Sequence, residues 1–236
     1  MKVYNLKENE MELRHELETI KDSVLPTGWT LWDKWFGGFQ KGGLQFIAAP
    51  TGQGKTTLLL ALAKRAVRQG YKVLYIGTEQ PIVKLFEAIG PVDMDACRKE
   101  SGDRFEDIIG NREYDVIIYD YLGAETAAYQ DAQEWQIYRD QANWLSDYAI
   151  KHQVCILTAG QADTSILEKP LEALHSAKFV SFAKHIIDKV SSAVYIVRIQ
   201  GKVYMSMIKN RYFSFVEDTP EICIDYARKE VMEAIL

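Results

Sequence analysis

The chain has 236 residues, 47% of them hydrophobic, enough for a substantial core in one large domain or two small ones, and it reads as one. A net charge of −5 argues against a generally basic coat for nucleic acid and still allows a locally basic channel inside an oligomer. No apolar run approaches the roughly 18–20 residues that cross a bilayer, and Met1 to Asn9 is too polar and acidic for a signal peptide, so a cytoplasmic location is expected.

In chain order, the first pattern places Leu6, Leu13, Leu17, Ile20 and Val24 at helical spacing with Glu and Lys between them. This predicts an amphipathic helix ahead of the main domain, so the chain divides into residues 1–24 and 25–236. Its apolar stripe needs a cover, either its own domain or a neighbouring subunit. Between Leu25 and Leu44, Pro and Gly residues punctuate a short helix whose Trp29, Trp32, Trp35 and Phe36 fit core packing better than a stacking platform for bases.

The next stretch organises the rest. An apolar run, Phe46 to Ala49, breaks into Pro50-Thr51-Gly52-Gln53-Gly54-Lys55-Thr56-Thr57 and continues as a helical pattern from Leu58 to Gln69. Strand, glycine loop and helix in that order make a phosphate-binding loop running from Ala49 to Thr57. Gly52 and Gly54 let backbone N–H groups turn around an anionic phosphate, Lys55 adds a point charge, and Thr56 offers a hydroxyl to Mg²⁺. The helix start adds its positive dipole end. Ala49 stands where the general pattern has Gly.

Lys72 to Gly77 reads as a second strand, ending at Thr78-Glu79-Gln80, and Pro81 opens a helix from Ile82 to Gly90. Residues 91–112 give no firm element, and Asp93, Asp95, Glu106 and Asp107 there look like solvated surface. Asp115 to Asp120 is a buried strand with a carboxylate at its C-terminal end, placed to accept from water on Mg²⁺ beside the loop. A helix from about Gln130 to His152 and a strand from Val154 to Ala159 follow, the latter ending at Gly160-Gln161. Ala193 to Ile199 is a fifth strand. Lys202 to Arg211, Tyr212 to Val216 and Ile222 to Tyr226 look like antiparallel additions at one edge. The alternation predicts a mainly parallel α/β sheet between helices, with ligands at the C-terminal strand ends. Of the three cysteines, Cys97, Cys155 and Cys223, the last two sit in strand-like runs and are expected to be buried thiols; neither disulfides nor zinc is suggested.

Four blocks together resemble the RecA-like ATPase core of DnaB-type replicative hexameric helicases. They are Leu25-Pro26-Thr27-Gly28 to Asp33 with Gly37-Gly38, the loop Ala48 to Thr57 with Ala at its first position, Tyr119-Asp120-Tyr121-Leu122, and Lys209-Asn210-Arg211. The similarity covers roughly Leu25 to Tyr226. It implies ATP and Mg²⁺ as cofactors, single-stranded DNA as partner, and a homo-oligomer, a hexameric ring. The larger members' N-terminal partner-binding domain has no counterpart here, which suits a viral or plasmid protein acting in the host cytoplasm. By the same resemblance Glu79 polarises the attacking water and Gln161 senses the γ-phosphate. Lys209 and Arg211 would reach the ATP of the neighbouring subunit.

The segment Ala162 to Lys189 falls where the family places its DNA-binding loop, with Lys178 and Lys184 as the candidate phosphate contacts. The family's Arg-Glu-Ser-Gly run is replaced near there by Ser181-Phe182-Ala183-Lys184-His185. The leading expectation is an ATP-dependent DNA helicase or translocase. A RecA/RadA-like recombination or annealing ATPase and a KaiC-like regulatory ATPase are the alternatives.

Overall fold

A computed structural model describes residues 5, 7–21, 23–100, 102–122 and 134–233. The chain opens with α1 (Glu10–Lys21), started by Asn5, whose side-chain oxygen accepts the N–H groups of Lys7 and Glu8. Val24, counted into this helix from its spacing, lies instead in β1 (Val24–Leu25), paired antiparallel with β2 (Phe39–Gln40). The side chains of Leu17 and Ile20 fall outside the described residues.

Between these two strands lies α2 (Thr30–Phe36). Asp33 fixes the turn into it, because its two carboxylate oxygens accept from the Thr27 N–H and hydroxyl, at 2.8 and 2.7 Å, and from the Gly28 N–H at 3.1 Å. The expected packing role of the aromatics holds. Trp29 and Trp32 stack at 5.8 Å, Phe36 meets Trp32 edge-on at 5.0 Å, and all four rings are buried.

Nine strands form the main sheet. Its parallel part contains β3 (Leu44–Ala49), β4 (Val73–Gly77), β5 (Asp95–Arg98), β6 (Val116–Asp120), β7 (Cys155–Gln161) and β8 (Ser192–Ile199). The antiparallel edge is β9 (Lys202–Asn210), β10 (Glu221–Asp225) and β11 (Glu230–Glu233). The spatial order is β11-β10-β9-β8-β3-β7-β6-β4-β5. Parallel strands covered on both faces read as continuous apolar runs, and β3, β4 and β6 are buried throughout. Alternation then divides each strand between two cores. Ile47, Tyr75, Ile118 and Leu157 face α3 (Lys55–Arg68) and the tryptophans, while Phe46, Leu74, Ile117 and Ile156 face α6 (Glu134–His152). The expected start of that last helix, near Gln130, falls outside the described residues. The Phe46 ring lies flat against Gly160, where an added Cβ would come within 2.7 Å of it.

The remaining elements are α4 (Ile82–Ile89), α5 (Phe105–Ile109) and α7 (Ala183–Ile186). Strand β5 and helix α5 occupy part of the segment that gave no firm element. Both are short, and the β5 residues are half-buried or exposed, so they carry almost no periodic signal. Two expectations are corrected. Tyr212 to Val216 is not a strand: the segment turns, because the Asn210 side chain accepts the Phe213 N–H and donates to the Trp35 and Ser214 carbonyls. Cys223 is exposed rather than buried, since β10 lies near the sheet edge and turns this residue outward; Cys155 is buried as expected.

Residues 162–190 are not an open loop. Three 3-10 turns, Thr164–Glu168, Leu171–His175 and Ala177–Phe179, sink Ile166, Leu174, Phe179 and Val180 into the α6-side core. The acids Asp93, Asp95, Glu106 and Asp107 are exposed, as expected. No described helix is long and apolar enough to cross a membrane.

Candidate functional site

The parallel strands end on one side of the sheet, and register alone gathers the chemistry there. Ala49 of β3 sits opposite Gln161 of β7, and Gly77 of β4 sits opposite Asp120 of β6. The loop after β3 therefore lies between Gln161 on one side and the β4 and β6 ends on the other. Gly54 precedes α3 with φ of +102°, in the region that favours glycine, and a Cβ there would press on the Tyr226 ring edge at 3.2–3.3 Å. Nothing lies within 4 Å of a Cβ built on Gly52, which leaves the cradle open above it.

Lys55 is buried, and its ammonium donates to the carbonyls of Ala49 at 3.1 Å and Pro50 at 3.3 Å. Burial pulls its pKa below the ordinary lysine value, partly offset by the carboxylates of Asp120 and Glu79. Asp120 is buried beside it. One oxygen accepts from the Tyr75 hydroxyl at 2.6 Å, and the other, Oδ1, is buried with no hydrogen-bond partner. Burial raises the carboxyl above its usual range, opposed by the Tyr75 hydroxyl and by the nearby Thr56 hydroxyl. An orphaned, buried carboxylate oxygen next to a threonine hydroxyl and a buried ammonium is a donor set that suits hydrated Mg²⁺ on a phosphate chain, so these residues fit a magnesium nucleotide.

Glu79 leaves the end of β4 exposed, and its Oε1 accepts from the Tyr121 hydroxyl at 3.0 Å. Burial and the Glu79 carboxylate push the Tyr121 phenol up to about 12, so it remains a donor through the neutral range. The Tyr121 N–H in turn donates to the Thr78 hydroxyl at 3.3 Å, and the Thr78 hydroxyl donates to the Asp120 carbonyl at 3.1 Å. Gln161 joins from the other side, where its Oε1 accepts from the Thr51 hydroxyl at 3.1 Å. Two adjoining clefts share Thr56, Thr57 and Glu79. One continues past Asp120 to Lys229, the other past Lys55, Tyr121 and Gln161 to Tyr226.

Sequence reading placed Lys55, Thr56, Glu79, Asp120 and Gln161 here, and the fold brings them together. It missed Tyr75, Tyr226, Arg198 and Lys229. Tyr75 could have been found, because β4 pairs in register with β6 and every second residue shares the Asp120 neighbourhood. Tyr226 had no local signal, since it arrives from beyond β10: its ring carries the Arg198 guanidinium 4.7 Å above it, while the Arg198 N–H donates to Gln53 Oε1 at 2.8 Å.

Lys209 and Arg211 are elsewhere. Antiparallel β9 returns to the opposite end of the sheet, where Asn210 pairs with Ser192, itself beside Gln45. That level is about 13 Å from the start of the phosphate loop along β3, and β9 stands five strands from β4, about 24 Å. Lys209 donates to the Ile187 carbonyl, and Arg211 to the Asp188 carbonyl at 3.0 Å. Lys178 is exposed, its ammonium 4.8 Å from the Phe179 ring centre. The Lys184 side chain lies outside the described residues.

Residues 24–101 match the family described as DnaB-like helicase C terminal domain. The fold extends the likeness over the whole chain, because the solved ATPase domain of a DnaB-like helicase superposes with a TM-score of 0.79 at 12% identity, covering 98% of this chain and 99% of that one. This is a RecA-like core, similar to that of DnaB-type helicases. A DnaB-like replicative helicase, solved in a study of its interactions with primase, superposes with a TM-score of 0.77 at 12% identity, covering 98% of this chain and 67% of that one. Among curated proteins, the DNA repair and recombination protein RadB of Methanobrevibacter smithii is 32% identical over 75 residues, which are 32% of this chain and only 28% of that protein. The 9-stranded sheet, mostly parallel with an antiparallel edge, is the architecture expected from the sequence.

Proposed function

We propose that this chain is an ATP-dependent DNA translocase of the DnaB type, hydrolysing ATP between copies of itself to move on single-stranded DNA. The observation that carries the reading is a division within the site. Lys55, Thr56, Glu79, Asp120 and Gln161 converge on one end of the sheet, whereas Lys209 and Arg211 stand at the other end and cannot serve the same nucleotide.

Within one copy, the loop N–H groups and Lys55 would hold the phosphates, and Thr56 and Asp120 would hold Mg²⁺, which when bound neutralises phosphate charge. Glu79 would accept the proton of the attacking water. Tyr121 is its positioning residue, holding the carboxylate by a hydroxyl that keeps its proton. Gln161 touches the phosphate loop through Thr51 and begins the segment in which Lys178 and Lys184 lie, so a change at the γ-phosphate can be passed toward DNA. Arg211, with Lys209, would enter the cleft of the adjacent copy.

The Tyr226 ring and the Arg198 guanidinium make a flat surface at the loop's margin, suited to stacking on the nucleotide base. Stacking on an aromatic ring is worth about 1–3 kcal/mol per base. Tyr226→Ala is therefore expected to raise the KM for ATP by about tenfold with little change in kcat; an unchanged KM would remove Tyr226 from the nucleotide site.

RadB's printed role in recombination favours a second reading, an assembly or annealing factor on single strands. A labelled forked duplex separates the two. The translocase displaces a strand in an ATP-dependent reaction, and an annealing factor binds the single-stranded arms and leaves the duplex intact.

A further inference from the structure

Two exposed apolar patches adjoin the two halves of the divided site. On α4, Val83 and Phe86 are 72% and 61% exposed and lie three residues apart, on one face of the helix. The helix starts three residues beyond Glu79, and its inner residues Ile82, Leu85 and Ala88 line the Glu79 cleft, so this outer face forms the rim of the cleft. The second patch begins one residue beyond Arg211, where Tyr212 and Phe215 are 54% and 46% exposed. Asn210 fastens this turn to the body through the Trp35 carbonyl at 2.8 Å, so the rings are held out on a fixed support.

Among the described residues, no arginine lines either cleft, and the cations there are Lys55 and Lys229. An arginine reaching Glu79 from outside must pass the α4 rim. If it is Arg211, the rings immediately after it arrive at Val83 and Phe86. We infer that the Val83/Phe86 face of one copy packs against the Tyr212/Phe215 rings of a second copy, a head-to-tail contact that delivers Arg211 to the Glu79 cleft. The occupant of each patch is the other patch. Because the surfaces differ, each copy keeps one of each free for the next, and the contact propagates until it closes into a ring or continues as a filament. This inference rests on the proposed action of Arg211 in trans, and it adds the surface that makes such action specific.

The test is a site-directed cross-link. In a background with Cys97→Ser and Cys223→Ser, Phe86→Cys and Tyr212→Cys are combined in one chain and treated with a short bis-maleimide in the presence of Mg²⁺ and a non-hydrolysable ATP analogue. The two positions belong to elements about 24 Å apart within a chain, so short links must join different copies. The expected result is a ladder extending beyond the dimer. A mixture of the two single variants should stop at the dimer, and either single variant alone should give no ladder.

As a second reading, Val83→Ser combined with Phe86→Ser should raise the concentration for half-assembly about tenfold or more, from the loss of buried apolar area. No ladder from particles that sediment as multimers, in which Arg211→Ala and Lys55→Ala chains restore each other's activity, would overturn the patch pairing and leave action in trans standing. No ladder, monomeric sedimentation and no restoration would overturn both.

Discussion

Glu79→Gln is expected to lower kcat for ATP hydrolysis by about 10²- to 10⁴-fold, the usual worth of a positioned general base, while nucleotide binding stays in place. The substitution is chosen for what it preserves. The amide keeps an acceptor oxygen for the Tyr121 hydroxyl, now 3.0 Å from Glu79 Oε1, and removes only the ability to take up a proton. Steady-state turnover beside equilibrium binding of a fluorescent ATP analogue separates the two effects. Turnover at the wild-type level would end the assignment of Glu79 as base, and lost binding would place Glu79 in nucleotide affinity instead.

The second large effect belongs to Arg211. Arg211→Ala should cost about 10³-fold or more in turnover, as when an arginine finger is withdrawn from other nucleotide hydrolases. The sharper measurement is a mixture. Lys55→Ala chains lack a working phosphate loop and Arg211→Ala chains lack the finger, so each alone should be inactive. Mixed, they form interfaces in which an intact loop from one chain meets an intact finger from another. Activity should rise to a maximum at intermediate ratios. Arg211 also donates to the Asp188 carbonyl, so a thermal melt must show that the Arg211→Ala chain is folded. Mixtures no more active than either parent would count against action in trans.

Much of this site was legible in the sequence because its parts are local. A strand, a glycine loop and a helix announce themselves at fixed spacing, and Asp120 ends an unbroken apolar run. Glu79 and Gln161 carried no such signal. A carboxylate before Pro81 also fits an ordinary helix start, and a glutamine after a strand is unremarkable; both roles came only with the resemblance. Tyr226 and Arg198 were illegible because they reach the loop through tertiary packing, from strands that arrive late in the chain.

The fold divided in the same way. The long buried strands were readable, whereas β5, α5 and β11 are too short or too exposed to show a period. Tyr212 to Val216 misled for a clear reason. Alternating aromatic and small residues imitate a strand, but Asn210 bonds the chain into a turn, leaving Tyr212, Phe213 and Phe215 partly in water.

The central claim is an ATPase coupled to single-stranded DNA, and steady-state ATP hydrolysis measured without DNA, with single strands and with duplex tests it most directly. The account predicts turnover stimulated by single strands, with little response to duplex, and the stimulated turnover lost in Glu79→Gln. Turnover indifferent to DNA of every form would contradict it and point to a regulatory ATPase acting on protein partners.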